Sequence, residues 1–99
     1  MIKDQIQRDF EIFHNDNPHV FSLLVKFTAA VRATGRKHYS INAVFERIRW
    51  HTDIETVHGE HLVDFKLNNN FRSRYVRLLE EEHPYFHGFY HKRQLQAAA

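Results

Sequence analysis

Asparagine and arginine side chains recur at helical spacing near the C-terminal end of the chain. Asn70, Arg74 and Arg77 share one face if residues 70–82 are helical. In the major groove of DNA, Asn can form two hydrogen bonds to adenine and Arg can form two to guanine. The pattern therefore predicts a helix that contacts DNA. The predicted base-contacting residues are Asn69, Asn70, Arg74 and Arg77, and the predicted backbone-contacting residues are Arg36, Lys37, Lys66 and Arg72.

The charged residues are grouped along the chain, although the net charge is only +2. Segment 19–50 contains six Lys or Arg and a single Glu, and segment 65–79 contains four Lys or Arg and no acidic residue. If these two segments meet on the surface, they form a basic patch that attracts phosphate. The alternative is that each segment is the solvated face of its own element, with the asparagines acting as helix caps.

The nine histidines are a second candidate for chemistry. His83, His87 and His91 recur every four residues, and a helical pair at this spacing can bind zinc. Pro84 and Gly88 interrupt that helix, and neither an HExxH motif nor a Cys-His pattern is present. Surface or hydrogen-bonded histidines are the simpler interpretation, so neither a metal nor a cofactor is predicted. A second group comprises His51, His58 and His61.

Motifs of catalysis are absent from the sequence. There is no nucleophile elbow, glycine-rich phosphate loop or paired-carboxylate motif. Glu60, His61 and Asp64 contain an acid and a base, but a solvated turn explains them more simply. The lack of cysteine excludes disulfides, zinc-thiolate sites and thiol nucleophiles. We therefore predict a non-enzymatic protein of the cytoplasm.

Length and composition predict one folded domain. Ninety-nine residues suit a single core, and nine Phe in a chain that is 14% aromatic exclude a disordered protein. No apolar segment approaches the ~20 residues that span a bilayer, so no membrane partner is expected. The domain is assigned to residues 1–96, and the three alanines at 97–99 resemble a cloning remnant.

A central helix is predicted from the N-cap Ser40 to Val57. Its apolar residues fall on two faces, which predicts burial between neighbours. The rest of the chain is the expected cover of the second face, and a homodimer partner or a host protein is the alternative because Trp is a favoured interface anchor. The first face contains Ile41, Val44, Phe45, Ile48 and Thr52, and the second contains Ala43, Trp50, Ile54 and Val57.

The complete pattern predicts a mainly α single domain of four to five helices. Asn17 is the predicted N-cap of the second helix, and Gly35 its left-handed end. A short β-hairpin is expected before the last long helix, which gives an order similar to a winged helix-turn-helix. The aromatic segment 83–91 is expected to pack back onto the domain. The other helices are predicted over residues 3–13, 18–34 and 70–82, and the hairpin pairs 56–57 with 62–67.

Several short motifs are specific in combination. They are NPHV at 17–20, GRKHYS at 35–40, FERIRWH at 45–51, FKLNNN at 65–70, YVRL at 75–78 and the segment 84–89. By these motifs the chain, from about Phe13 to Tyr90, resembles a family of small uncharacterised proteins encoded in bacteriophage and bacterial genomes, often in prophages. The resemblance implies a phage or mobile-element context, and it assigns no catalytic or binding residue.

Two functional hypotheses follow from these observations. The leading one is a non-enzymatic DNA-binding or DNA-associated accessory protein of a phage or mobile element. The alternative is a small phage factor that binds or inhibits a host protein without touching nucleic acid. Whether the two basic segments form one surface is the observation that separates them.

Overall fold

The computed structural model describes residues 4–55 and 66–91, which form a mainly helical domain, as predicted. Within those residues there is no strand, only an isolated parallel bridge between Tyr39 and Tyr90. The predicted hairpin, and with it the order similar to a winged helix-turn-helix, depends on segment 56–65, which lies outside the described residues. The elements are α1 (Gln5–Asp16), α2 (Pro18–Arg32), α3 (Ile41–Trp50), a π-helical turn (His51–Glu55), a 3-10 turn (Asn69–Phe71), α4 (Arg72–Glu82) and a second 3-10 turn (Pro84–Phe86).

Local hydrogen bonds explain where the helices begin and end. The Asp4 carboxylate caps α1 by accepting from the backbone N–H of Gln7 at 2.7 Å, and Ser40 caps α3 as predicted. Asn17 occupies the predicted N-cap position of α2, but its side chain makes no capping hydrogen bond, because its amide donates backwards to the carbonyl of Phe13 at 3.1 Å. Gly35 follows α2 with φ +93°, the left-handed conformation that glycine adopts without strain.

The core lies between α1, α2, α3 and α4. Tyr75 of α4 is fully buried, and the rings of Phe10 and Phe45 approach it nearly perpendicularly at 4.7 and 6.0 Å between centroids. Edge-to-face pairs of this kind stabilise a core beyond the area that they bury. The predicted first apolar face of α3 packs inward, with Ile41, Val44, Phe45 and Ile48 buried.

The second apolar face of α3 is open. Trp50 is 57% exposed and Ile54 is 52% exposed, so the prediction that both faces of the central helix are buried is wrong at this end. The α-helix ends at Trp50, and the chain continues as a π-helical turn. Because a π-helical turn has a wider period than an α-helix, the predicted face does not continue in register.

The aromatic tail, residues 83–91, packs back onto the domain, as predicted, and it contacts α2. Phe86, Phe89 and Tyr90 are buried, and the Tyr39 N–H donates to the carbonyl of Phe89 at 3.2 Å. The hydroxyls of Tyr90 and Thr28 lie 2.6 Å apart in the interior. Burial raises the pKa of Tyr90 to about 12, so the ring stays neutral and keeps this hydrogen bond. No helix in the described ranges is both long and apolar enough to cross a membrane.

Candidate nucleic-acid interface

The predicted DNA-contacting face of α4 is largely closed. Ser73 is buried, and the Arg74 side chain is only 11% exposed. Arg74 donates to both carboxylate oxygens of Asp4, at 3.1 and 3.3 Å, and to the Ser73 hydroxyl at 3.3 Å. Because Asp4 caps α1, the start of that helix lies over the face that the sequence placed in solvent. Arg74 therefore joins two helices in this structure.

The pKa of the Asp4 carboxyl is lowered from its ordinary value of 3.8. The largest cause is the hydrogen bond from the Gln7 backbone N–H, and the positive charge of Arg74 adds to it. Asp4 therefore remains a carboxylate across the physiological range, and it stays paired with Arg74. A phosphate would have to displace it to reach this arginine.

Two other predicted residues, Asn69 and Arg72, lie together where α4 begins. The Arg72 Nε–H donates to the carbonyl of Asn69 at 2.8 Å, and its Nη1 contacts the Asn42 side chain. Arg49 of α3 donates from Nη2 to Asn69 Oδ1 at 2.6 Å and from Nη1 to Glu46. The polar strip of α3 thus contacts the start of α4. We call Asn42, Arg49, Asn69 and Arg72 the junction network.

The sequence interpretation missed Asn42 and Arg49 as members of this group. Their spacing of seven residues places them on one face of α3 and was the available signal, but nothing in the sequence indicates that Asn69 and Arg72 would lie beside that face. The neighbouring Asn70 is exposed, and its backbone N–H is bound by the Asn68 side chain at 2.8 Å. The asparagine cluster therefore does act partly as a cap, as one of the two interpretations proposed.

Arg36 and Lys37 lie in the connection between α2 and α3, and both are exposed. Arg36 lies over the ring of Tyr39 at 5.6 Å, and Arg32, at the end of α2, lies over the ring of Tyr85 at 5.5 Å. His38 follows Lys37 in the same connection, and the centroids of the His38 and His91 rings lie 4.6 Å apart. We call this surface the basic end; it comprises Arg32, Arg36, Lys37, His38, Tyr85 and His91.

Several residues of the basic end belong to a segment of the chain that contains no acidic residue. There is no Asp or Glu from Asn17 to Phe45. Glu80 of α4 is nearly buried, and its carboxylate accepts from the Gly88 N–H of the tail at 3.0 Å and lies 3.4 Å from His87. Glu81 and Glu82 are exposed and precede the tail at the end of α4. The positive charges of the connection therefore face solvent without a carboxylate among their sequence neighbours.

The last two predicted residues lie apart from each other. Arg77 is exposed on α4, and no hydrogen bond or ion pair of its side chain occurs among residues 4–55 and 66–91. Lys66 lines a groove of about 520 Å³ together with Asp9 and Asp16 of α1. Two carboxylates beside a single lysine make that groove an unfavourable place for a phosphate backbone.

The structure therefore divides the eight predicted residues among separate places. Asn69, Asn70 and Arg72 lie at the start of α4, Arg36 and Lys37 lie at the basic end, and Arg74, Arg77 and Lys66 lie elsewhere. The contact between Arg72 and Asn42 relates the first two places, because Asn42 follows Lys37 by only five residues. Five residues span at most roughly 18 Å, so Lys37 lies within that distance of Asn42, whereas Asn69 contacts Arg49 near the opposite end of α3.

Metal-binding and acid–base alternatives gain no support from the described part of the chain. It contains no group of three His, Asp or Glu side chains arranged to hold a metal. His51 Nδ1 lies 2.9 Å from the Glu55 carboxylate, which also accepts a hydrogen bond from Arg47 at 2.8 Å. These three side chains form a partly exposed polar cluster. The proposed acid–base group of Glu60, His61 and Asp64 lies outside the described residues.

Comparison of the chain with family models, with curated proteins and with solved structures finds no match.

Proposed function

We propose that this protein is a non-enzymatic DNA-binding accessory protein of a phage or mobile element, and that the basic end is its main contact surface. One observation supports this most directly. Arg32, Arg36 and Lys37 are all exposed within a segment that contains no acidic residue between Asn17 and Phe45. Clustered exposed cations without interspersed carboxylates are the electrostatic signature of a phosphate-binding surface.

The junction network extends this surface in the proposal. Arg72 has five N–H donors, of which two bind Asn42 and Asn69, and its guanidinium retains its positive charge. Asn70 is exposed beside it. Arg74 is not part of this contact surface, because a phosphate could reach it only if its contact with Asp4 were broken. Binding then depends mainly on phosphate contacts, which position a protein on DNA without specifying a sequence.

The salt dependence of DNA affinity tests this proposal. Wild-type protein is titrated onto a fluorescein-labelled duplex at several salt concentrations, and log Kd is plotted against log salt. Each phosphate contact contributes about 0.9 to the slope on a duplex, so Arg36→Ala with Lys37→Ala should reduce it by roughly 1.8 and weaken binding at every salt concentration. Unchanged melting curves would show that the variant is folded.

Lys37 and Lys26 provide a matched control for this experiment. Both are exposed lysines in the acid-free segment, but Lys26 lies in the middle of α2, away from the connection. Lys37→Ala should lower the salt slope, and Lys26→Ala should leave it nearly unchanged. Equal effects of the two substitutions would mean that net charge alone governs binding. Failure of the wild type to bind duplex or single strands at low salt would disprove the proposal.

A second candidate function is the binding of a protein, either a host factor or another copy of this chain. Trp50 and Ile54 are both exposed apolar side chains, and the exposed Glu46 and Asp53 lie near them in sequence. Exposed Trp is a typical interface anchor, whereas neighbouring carboxylates repel phosphate. Trp50→Ser should abolish such an interaction without affecting DNA affinity. Sedimentation over a range of concentrations distinguishes self-association, and capture from host lysate compares the variant with wild type.

A further inference from the structure

The described helices offer little for reading base edges in a duplex groove. On the α4 face that would do so, Ser73 is buried and Arg74 is bound to Asp4 at the start of α1. The exposed side of α3 contains Glu46 as well as Arg47. A helix that enters the major groove needs several exposed polar side chains on one stripe, with no carboxylate facing the backbone. The basic end is different, because it lies on a connection and a 3-10 turn instead of a long helix.

An exposed aromatic ring lies within the basic end. Tyr85 is 59% exposed, although Phe86, Phe89 and Tyr90 of the same tail are all buried. The Tyr85 ring packs against two rings of the same tail, Phe86 at 4.3 Å and His83 at 6.1 Å between centroids. The buried Phe86 thus fixes the short turn and leaves its neighbour in solvent. A single exposed tyrosine is ordinary on a protein surface, so its surroundings must decide its role.

Those surroundings combine flat groups with positive charge. The Arg32 guanidinium lies 5.5 Å from the centroid of the Tyr85 ring, a cation–π contact. Arg36 makes a similar contact with Tyr39, and the exposed His38 and His91 rings lie 4.6 Å apart. Proteins that bind single strands use this combination, in which bases stack on aromatic rings and guanidinium planes while nearby cations bind the phosphates.

We infer that the basic end binds single-stranded nucleic acid, with an unpaired base stacked at Tyr85 and phosphates held by Arg32, Arg36 and Lys37. This inference rests on the proposed function, because it specifies the form of nucleic acid that the same surface binds. In a duplex the bases are stacked on one another and their faces are unavailable. A single strand offers both the base face and the phosphate that this surface can contact at once.

The test compares three labelled ligands with equal numbers of phosphates: oligo-dT, an abasic oligomer of the same length and a duplex. Wild-type protein should bind oligo-dT at least about fivefold more tightly than the abasic strand, which is the lower end of the effect of one stacked base. Tyr85→Ala and Tyr85→Leu should remove this preference while retaining salt-sensitive binding. Tyr85→Phe should keep it, because the aromatic plane remains.

Trp50 supplies the matched control and a direct probe. Trp50→Ala removes an exposed aromatic ring whose sequence neighbours include the exposed Glu46 and Asp53, and it should leave the preference for oligo-dT intact. In a Trp50→Phe background, Tyr85→Trp places the sole tryptophan at the basic end. Its fluorescence should be quenched by oligo-dT and oligo-U but not by the abasic strand.

The outcomes separate this inference from the proposed function. Equal affinity for oligo-dT, abasic strand and duplex would overturn the stacking inference and leave phosphate-driven DNA binding in place. A preference for oligo-dT that survives Tyr85→Ala would also overturn it, because the stacked base would lie elsewhere. If none of the three ligands binds at low salt, the proposed function itself fails. Melting curves of each variant confirm that the fold is intact.

Discussion

The α4 face and the basic end both contain arginines that the sequence placed on a DNA-binding surface, but the fold treats them differently. On α4, the Arg74 side chain is nearly buried and bound to Asp4 at the start of α1. At the basic end, Arg36 and Lys37 are exposed and lie in an acid-free segment. The two regions differ in what the chain packs against them. An arginine is available to phosphate only where no carboxylate from another element reaches it.

The largest effect should come from Tyr75, the buried ring beneath the closed face. Tyr75→Ala removes a side chain that meets both Phe10 of α1 and Phe45 of α3, and the cavity should cost about 3–5 kcal/mol of unfolding free energy. Urea denaturation followed by circular dichroism measures this. Tyr85→Ala at the exposed basic end is the matched control, and it should cost less than about 1 kcal/mol. Comparable losses would contradict the distinction between closed and open regions.

Much of the fold was predictable because local signals and packing agree. The break at Asn17 and Pro18, the Ser40 cap and the left-handed Gly35 are local features that the chain specifies by itself. The buried face of α3 followed from its helical period. The failure at Ile54 has a local cause that periodicity does not detect, namely the change to a π-helical turn after Trp50.

The candidate site was less predictable, because its decisive contacts are long-range. Helical spacing predicted that Asn70, Arg74 and Arg77 share one face, but it could not indicate that Arg74 is bound by Asp4, seventy positions earlier in the chain. The contact of Arg72 with Asn42 joins residues thirty positions apart. Tyr85 was recognised only as one of several tail aromatics. Its exposure depends on which rings of the tail face the core.

Two buried tyrosines extend the comparison at a smaller scale. The Tyr90 hydroxyl binds Thr28 at 2.6 Å and ties the tail of the basic end to α2, whereas the Tyr75 hydroxyl is buried without a hydrogen-bond partner among the described residues. Tyr90→Phe leaves the Thr28 hydroxyl unsatisfied and should cost about 1–2 kcal/mol. Tyr75→Phe removes an unpaired polar group and should be neutral or stabilising.

Denaturation of both variants measures the difference. Thr28→Val combined with Tyr90→Phe serves as the control, since removing both hydroxyls leaves no unsatisfied group and should recover part of the loss. If Tyr75→Phe proves as costly as Tyr90→Phe, the Tyr75 hydroxyl must have a hydrogen-bond partner in the folded protein.

The smallest effect should come from the contact that closes the α4 face. The folded pKa of Asp4 is lowered, chiefly by the Gln7 N–H and then by Arg74, so its carboxylate stabilises the folded state above the ordinary pKa of 3.8. That contribution is lost as the pH falls through the lowered folded pKa. Asp4→Asn should therefore reduce the melting temperature at pH 7, and the reduction should shrink towards zero as the pH falls below 3.8.

Asp9→Asn is the control for charge on α1, because Asp9 binds Gln5 of its own helix rather than a residue of α4. If the carboxylate of Asp4 is what keeps phosphate from Arg74, Asp4→Asn makes Arg74 available. The DNA affinity of the Asp4→Asn variant should then rise slightly more than that of the Asp9→Asn variant at the same salt concentration. Both substitutions remove one negative charge, but only Asp4→Asn removes the partner of a guanidinium. Equal affinities would show that Arg74 stays out of reach of phosphate even without its carboxylate, and that packing alone closes this face.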